Sequence, residues 1–254
     1  MATRLYFNPD STKVPTKSPT FHSWGTTAGM IRRFMELTPN FNQNISVGNA
    51  VGAVAGPKTL GIVQYQIPCL AAQTISGTVK GQIRASESNA TADAFLQTVI
   101  KVWDPVGNSF RGTLLGINGT PSTEIDTSSM NRKVPNGWSG SGTSLSSLAV
   151  SAGDILVVEM GATINEVTAI GRTIATSAFA NGNTSTWVDL PEDETDTSSV
   201  KSAWIEFSQN IVFKKTIVPM HGPRQGAYMK KIVPVYKSSN PLAGQLWPRG
   251  SRVI

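Results

Sequence analysis

The sequence predicts an all-β protein: an antiparallel β-sandwich of jelly-roll type, with extended N- and C-terminal arms and one short helix. Three observations carry this. About eight segments between residues 61 and 215 show strand periodicity and are separated by turn-rich stretches. Charged residues make up only 15% of the chain, against a usual ~25%, and Thr, Ser, Asn and Gly take their place. Prolines recur at both ends, where they oppose helix and favour extended chain.

Taken in order, residues 1–25 read as an extended arm. Pro9, Pro15 and Pro19 each force the preceding residue out of the helical region. Phe7, Phe21 and Trp24 are too sparse to build a core, so they are expected to anchor the arm on another surface. Ala28–Thr38 is the predicted helix: Met30, Ile31, Phe34, Met35 and Leu37 approximate one apolar face, and Pro39 stops it. Residues 40–60 (with NISVGNAVGAVAG) suit a strand or an extended crossover and complete an N-terminal region 1–60.

The sandwich is expected over residues 61–215. Its strand candidates are Gly61–Pro68, Thr74–Ala85, Phe95–Trp103, Arg111–Ile117, Ser146–Val150, Asp154–Met160, Thr168–Ser177 and Val200–Lys214. In the second, Ile75, Gly77, Val79, Gly81, Ile83 and Ala85 alternate with Thr78, Lys80, Gln82 and Arg84, the period of a strand with one wet face. Ile155–Met160 is more continuously apolar, as where both faces are covered, and Ser151–Asp154 is the turn that feeds it. Pro219, Pro223, Pro234, Pro241 and Pro248 then divide residues 216–254, the C-terminal arm, into short extended pieces.

Charge follows the same division. Residues 1–60 hold six Lys/Arg against Asp10 and Glu36, residues 61–213 hold eight against fourteen acids, and residues 214–254 hold eight and no acid. Arms of one sign on a body of the other suggest a subunit that lies on its neighbours. The expected partner-binding residues of the arms are Phe7, Phe21, Trp24, Lys214, Lys215, Arg224, Tyr228, Lys230, Lys231, Tyr236, Trp247 and Arg249. A disordered tail would be poor in aromatic and β-branched residues, and this one is not, so it is expected to dock.

Enzyme chemistry is not expected. Cys69 stands alone, which excludes an intrachain disulfide and a Cys-based metal site. His22 and His221, one per arm, are in no triad or paired-His context, and Gly137–Gly142 departs from the nucleophile-elbow pattern. No phosphate-binding or dinucleotide motif occurs, and no cofactor is expected. Asp189, Glu192, Asp193, Glu194 and Asp196 are weak candidates for Ca²⁺, because their spacing lacks the EF-hand pattern; a solvated loop or a dock for a neighbour's basic arm explains them more simply. Glu159 and Glu206 lie on predicted strands and could in principle form a glycosidase pair, but alternation makes them outward polar positions instead.

Trp138 and Trp187, in loops, are the candidates for stacking on a glycan, while Trp103 and Trp204 read as core. A sequence pI near 9.5 and the pairs Arg32-Arg33, Lys214-Lys215 and Lys230-Lys231 suit phosphate contacts. No nucleic-acid-binding module accompanies them, and basic arms on an acidic protein lattice explain the same charges. Nothing reads as a signal peptide or membrane span, so the chain is expected to be made in a cytoplasm and stay soluble until it meets its partner.

Leu70–Ser88, Phe110–Leu115, Asn131–Leu148 and Asp189–Thr195 (LAAQTISGTVKGQIRASES, FRGTLL, NRKVPNGWSGSGTSLSSL, DLPEDET) together resemble a group of β-sandwich structural proteins of tailed bacteriophages. The closing Gly244–Gly250 (GQLWPRG) is similar to C-terminal tails of such virion proteins. The resemblance covers roughly residues 60–210 and carries over no catalytic residue. It implies a non-enzymatic virion component, assembled in the bacterial host cytoplasm, oligomeric and often trimeric. Its partners would be itself and a major capsid, collar or tail protein. A head decoration (cement) protein is the preferred expectation, since long arms suit a clamp across capsomer joints. A collar- or tail-associated carbohydrate-binding module for host attachment is the alternative.

Overall fold

Val79, Ile83 and Ala85 turn into the core along one ten-residue strand, Lys80 and Gln82 take the opposite face, where Gln82 is nevertheless buried, and the same period-two logic builds most of the described chain. The computed structural model describes residues 2–8, 13–17, 19–38, 44–51, 57–68, 70–89, 92–117, 124–125, 131–133, 142–165, 172–179 and 203–214. Met1–Thr216 form one compact unit; residues 217–254 are separate from it and lie outside the described residues.

Fourteen strands are described, and no α-helix occurs among the described residues. They are β1 (Thr3–Phe7), β2 (Ile31–Glu36), β3 (Asn44–Val51), β4 (Lys58–Ile67), β5 (Gln73–Ile75), β6 (Thr78–Glu87) and β7 (Ala94–Asp104). There follow β8 (Ser109–Leu115), β9 (Asn131–Lys133), β10 (Thr143–Ser144), β11 (Leu148–Val150), β12 (Ile155–Ile164), β13 (Arg172–Phe179) and β14 (Trp204–Phe207). One large sheet runs β3-β13-β6-β14-β1-β2-β4-β12-β7-β8, with β9 and β10 also paired to β6; β5 and β11 form a separate ribbon. Every pairing is antiparallel except β2 with β4. The sheet is nearly closed around one core: Leu5, Val79, Ile83, Ile205 and Phe207 from one half meet Tyr65, Leu96, Ile100, Leu156 and Met160 from the other. At its β3 end, Asn49 Nδ2 donates to the Gly61 carbonyl of β4 at 2.7 Å.

Two expectations about the N-terminus are overturned. The predicted helix at 28–38 is instead a turn at Ala28–Gly29, with Gly29 left-handed (φ 86°), followed by strand β2. The apolar spacing at 30–37 also fits a strand. Pairing decides the matter, with Ile31–Phe34 aligned on Val63–Gln66 and Met35 opposite Phe7, so tertiary context overrides local pattern. Nor are residues 1–25 an arm apart from the body. Strand β1 lies between β14 and β2, and Phe7 and Trp24 are only 3% and 5% exposed. The expected boundary at residue 60 therefore does not exist: the N-terminal region is part of the first unit. The physical cause is the short alternation Arg4 out, Leu5 in, Tyr6 out, Phe7 in, which completes a ladder with residues two hundred positions away.

Candidate functional site

The described structure holds one wholly buried ion pair, and it sits on the face of β12 turned away from the main core. Alternate residues Leu156, Val158, Met160, Ala162 and Ile164 face that core. Ile155, Val157, Glu159, Gly161 and Thr163 therefore face the other way. Ile155 and Val157 pack with Trp103 and Phe110 in a satellite cluster. Glu159, midway along, is 0% exposed.

A bulge on β4 brings a partner to this carboxylate. Met160 pairs with Val63 and Gly161 with Gly61, so Ile62 is the extra residue. Leu60 and Ile62 before it, and Val63, Tyr65 and Ile67 after it, all join the core. Gln64 and Gln66 are thereby turned to the outer face, where Gln64 Nε2 donates to Glu159 Oε1 at 3.1 Å and Gln66 Nε2 to Gln64 Oε1 at 2.9 Å. From β7, Lys101 Nζ lies 3.7 Å from Glu159 Oε1 and 4.3 Å from the centre of the Phe110 ring. Burial lowers the Lys101 pKa, and the Glu159 charge works against that fall.

The lid is the segment Pro19–Gly25, hereafter the strap. The His22 backbone N–H donates to both Glu159 oxygens at 3.0 and 2.9 Å, and Trp24 Nε1 donates to Oε2 at 2.7 Å. The Pro19 carbonyl accepts from Arg32 at 3.2 Å and from Gln64 at 3.4 Å, and the Arg32 guanidinium lies 4.1 Å over the Phe21 ring. The strap enters the sheet only at Thr26, which bridges to Leu60. Two facing glycines make the slot for Trp24. A Cβ on Gly161 would lie 2.6 Å from ring carbons of Trp24, and one on Gly61 would lie 2.8 Å from its Cδ1, closer than real contacts allow. Met30 and Val99 complete the cluster around the indole. The His22 ring stands edge-on to Trp24 with centroids 5.7 Å apart; burial, then Lys101, lowers its pKa, with Glu159 opposing.

With five donor contacts on its two oxygens, the Glu159 carboxylate has its lone pairs committed to its own chain. It acts as an anchor for the strap. Glu206 on β14 is held by Arg4 at 2.7 Å and Lys80 at 3.6 Å, with Arg4 also lying 4.0 Å over Trp204. Strands β1, β2 and β4 separate β14 from β12. The two carboxylates therefore lie four strands apart in the sheet order, and each is engaged by cations of its own chain. Glu159 was expected as an outward polar position; it does leave the core face, but the strap buries it.

The other expected site residues fall as follows. Phe7 is core and stacks on Tyr65 with centroids 4.4 Å apart. Trp24 fills the glycine slot and Phe21 packs at its margin, so these three anchors hold the protein's own body, a correction to their expected role on a neighbour. Trp103 and Trp204 are buried, and among the described residues no tryptophan is presented at the surface. Lys214 lines an open groove of about 620 Å³ with Ala2–Arg4, Leu37 and Asn210–Phe213. Within it Leu37 is 54% and Val212 48% exposed. Lys215, Arg224, Tyr228, Lys230, Lys231, Tyr236, Trp247 and Arg249, the acidic group Asp189, Glu192, Asp193, Glu194 and Asp196, and Trp138 and Trp187 lie outside the described residues. Among the described residues no three His, Cys, Asp or Glu converge as a metal site, and no helix is long and apolar enough to cross a membrane.

The clasp was not foreseen from the sequence. Its signals were the glycines inside otherwise apolar strands, Gly61 and Gly161, and the parity break in GIVQYQI that marks the bulge. No protein-family model matches the chain, and no curated protein matches it.

Proposed function

We propose that the protein is a structural subunit of a tailed-bacteriophage virion, a capsid decoration protein, that attaches through its basic C-terminal segment. The partition of charge carries this reading. Residues 1–216 hold sixteen Lys/Arg and sixteen Asp/Glu, whereas residues 217–254 hold six Lys/Arg and no acid, so the entire formal charge of +6 falls in the last 38 residues. That division coincides with the C-terminal limit of the compact unit Met1–Thr216. A neutral β block beside a purely cationic segment suits a body that is prefolded and a tail that recognises an acidic protein surface.

In this reading the curled sheet is a jelly-roll-type sandwich, the subunit is a homo-oligomer, with a trimer favoured by the resemblance, and the partner is a capsid or collar protein. Attachment is mechanical. Tyr228, Tyr236 and Trp247 supply apolar anchors, while Arg224, Lys230, Lys231 and Arg249 pair with the partner's carboxylates. A stable interface of this kind buries roughly 1,200–2,000 Å², and extended chain of this length can supply much of it. Only one end is left for this task, since the N-terminus is spent on the body.

The test is co-sedimentation of full-length protein with particles lacking it, together with a chain ending at Thr216. Full-length protein is expected to bind, to weaken steeply as salt rises, and to appear as discrete density on the particle by electron microscopy. The shortened chain is expected not to bind. Equal, salt-independent binding by both would overturn the reading.

A further inference from the structure

We infer that the Pro19–Gly25 strap is an acid-released latch: a segment clasped by Glu159 at neutral pH that lifts from the β4–β12–β7 face when His22 gains a proton. Three geometric facts support it. First, the strap is held by side chains rather than by a ladder. Its attachments are the Glu159 carboxylate, Gln64, Arg32, the Thr59 hydroxyl, which accepts from Gly25 N–H at 2.8 Å, and the Trp24 slot, and its first backbone bridge to the sheet is at Thr26. Such a segment can lift without unpairing a strand, so it belongs to the low-stability end of the molecule.

Second, what lies beneath is a buried charged pair, with Gln64 and Gln66 beside it on the same face. With the strap closed, Glu159 and Lys101 have side chains 0% and 6% exposed; with it open, both meet water. Removing the strap restores hydration to two ions, which offsets part of the lost hydrogen bonding. Third, His22 sits at the centre of the strap, where a new positive charge is poorly placed. The charged groups that act on it are Lys101 from β7 and Glu159 from β12, and the one anion is already engaged in five contacts; the Arg32 guanidinium of β2 is taken up by the Pro19 carbonyl and the Phe21 ring.

The sign follows. His22 has its pKa lowered from 6.5 in the closed state, so the open state binds the proton more tightly. Closure is at full strength above about pH 6.5 and weakens as pH falls below it. The 1.5 units between 6.5 and pH 5 set a ceiling of about thirty-fold on the shift from this one group. The Lys101 ammonium adds to this by disfavouring the protonated ring.

The experiment is hydrogen–deuterium exchange of the full chain over residues 19–25, at pH 7.5 and pH 5, corrected for the intrinsic pH dependence of exchange. Wild-type protection of this segment is expected to fall several-fold to thirty-fold at pH 5, while β4, β7 and β12 stay protected. His22→Asn keeps the backbone N–H that reaches Glu159 and removes the titration, so its protection is expected to be the same at both pH values. Glu159→Gln is expected to leave the strap poorly protected at both. Because His22 is only half-buried, the His22→Asn variant is expected to fold even if Glu159→Gln does not. Unchanged protection of wild type between the two pH values, or an undiminished fall in His22→Asn, would overturn the inference. Neither outcome depends on what the C-terminal segment binds.

Discussion

The two faces of β12 are closed in different ways. The inner face, Leu156, Val158, Met160, Ala162 and Ile164, is sealed by area alone, in a cluster drawn from both halves of the sheet. Burial there is non-directional, and many apolar side chains of the right volume would serve. The outer face is sealed by one segment, through three hydrogen bonds to a single carboxylate and one indole in a slot cut by two glycines. Closure there is directional and depends on ionisation. The first kind of surface fixes that the chain folds; the second fixes where its N-terminus goes, and can be undone locally.

Mutations can break this contrast, in decreasing order of effect. Trp24→Ala empties the slot and orphans a Glu159 acceptor, and it is expected to cost about 3–5 kcal/mol, measured by urea unfolding. Leu156→Ala on the inner face is expected to cost about 2–5 kcal/mol; its mark is a global loss with strap protection unchanged relative to the body, whereas Trp24→Ala exposes the strap selectively. Gly161→Ala pushes a methyl into the indole, and overpacking of this kind costs typically 1–3 kcal/mol; the same substitution at Gly153, where a Cβ meets nothing within 4 Å, strains only a positive φ of 97°, so the smaller loss of about 1 kcal/mol is expected there. Smallest is Glu206→Gln: its partners Arg4 and Lys80 are about a quarter exposed, and loss of such a pair is expected to cost at most about 1 kcal/mol, shrinking with added salt.

The inner face was the legible one. Alternation in Thr78–Ala85 and the continuous apolar run Ile155–Met160 are local signals, and β6 and β12 lie where those signals point. The outer face was not legible, because alternation tells which side of a strand a residue occupies and not what lies over it. Glu159 looks like any polar strand position until Trp24, 135 residues earlier, is placed against it. The N-terminus was misread for a related reason. Prolines at 9, 15 and 19 oppose helix, but the extended chain before the first of them is equally good material for a sheet when a partner strand exists, and β14 is two hundred residues away. At 30–37 two periods fit the same apolar residues, and only the parallel pairing with β4 separates them.

The claim on which the outer face depends is that Trp24 and Glu159 act as one unit, and a double-mutant cycle with Trp24→Phe and Glu159→Gln tests it most directly. Phe keeps most of the ring in the slot and removes the indole donor; Gln keeps the shape and removes the charge. Charge-assisted hydrogen bonds are worth about 1.5–3 kcal/mol, so a coupling energy above about 1 kcal/mol is expected. Losses that add to within about 0.5 kcal/mol, the range of independent sites, would contradict the account.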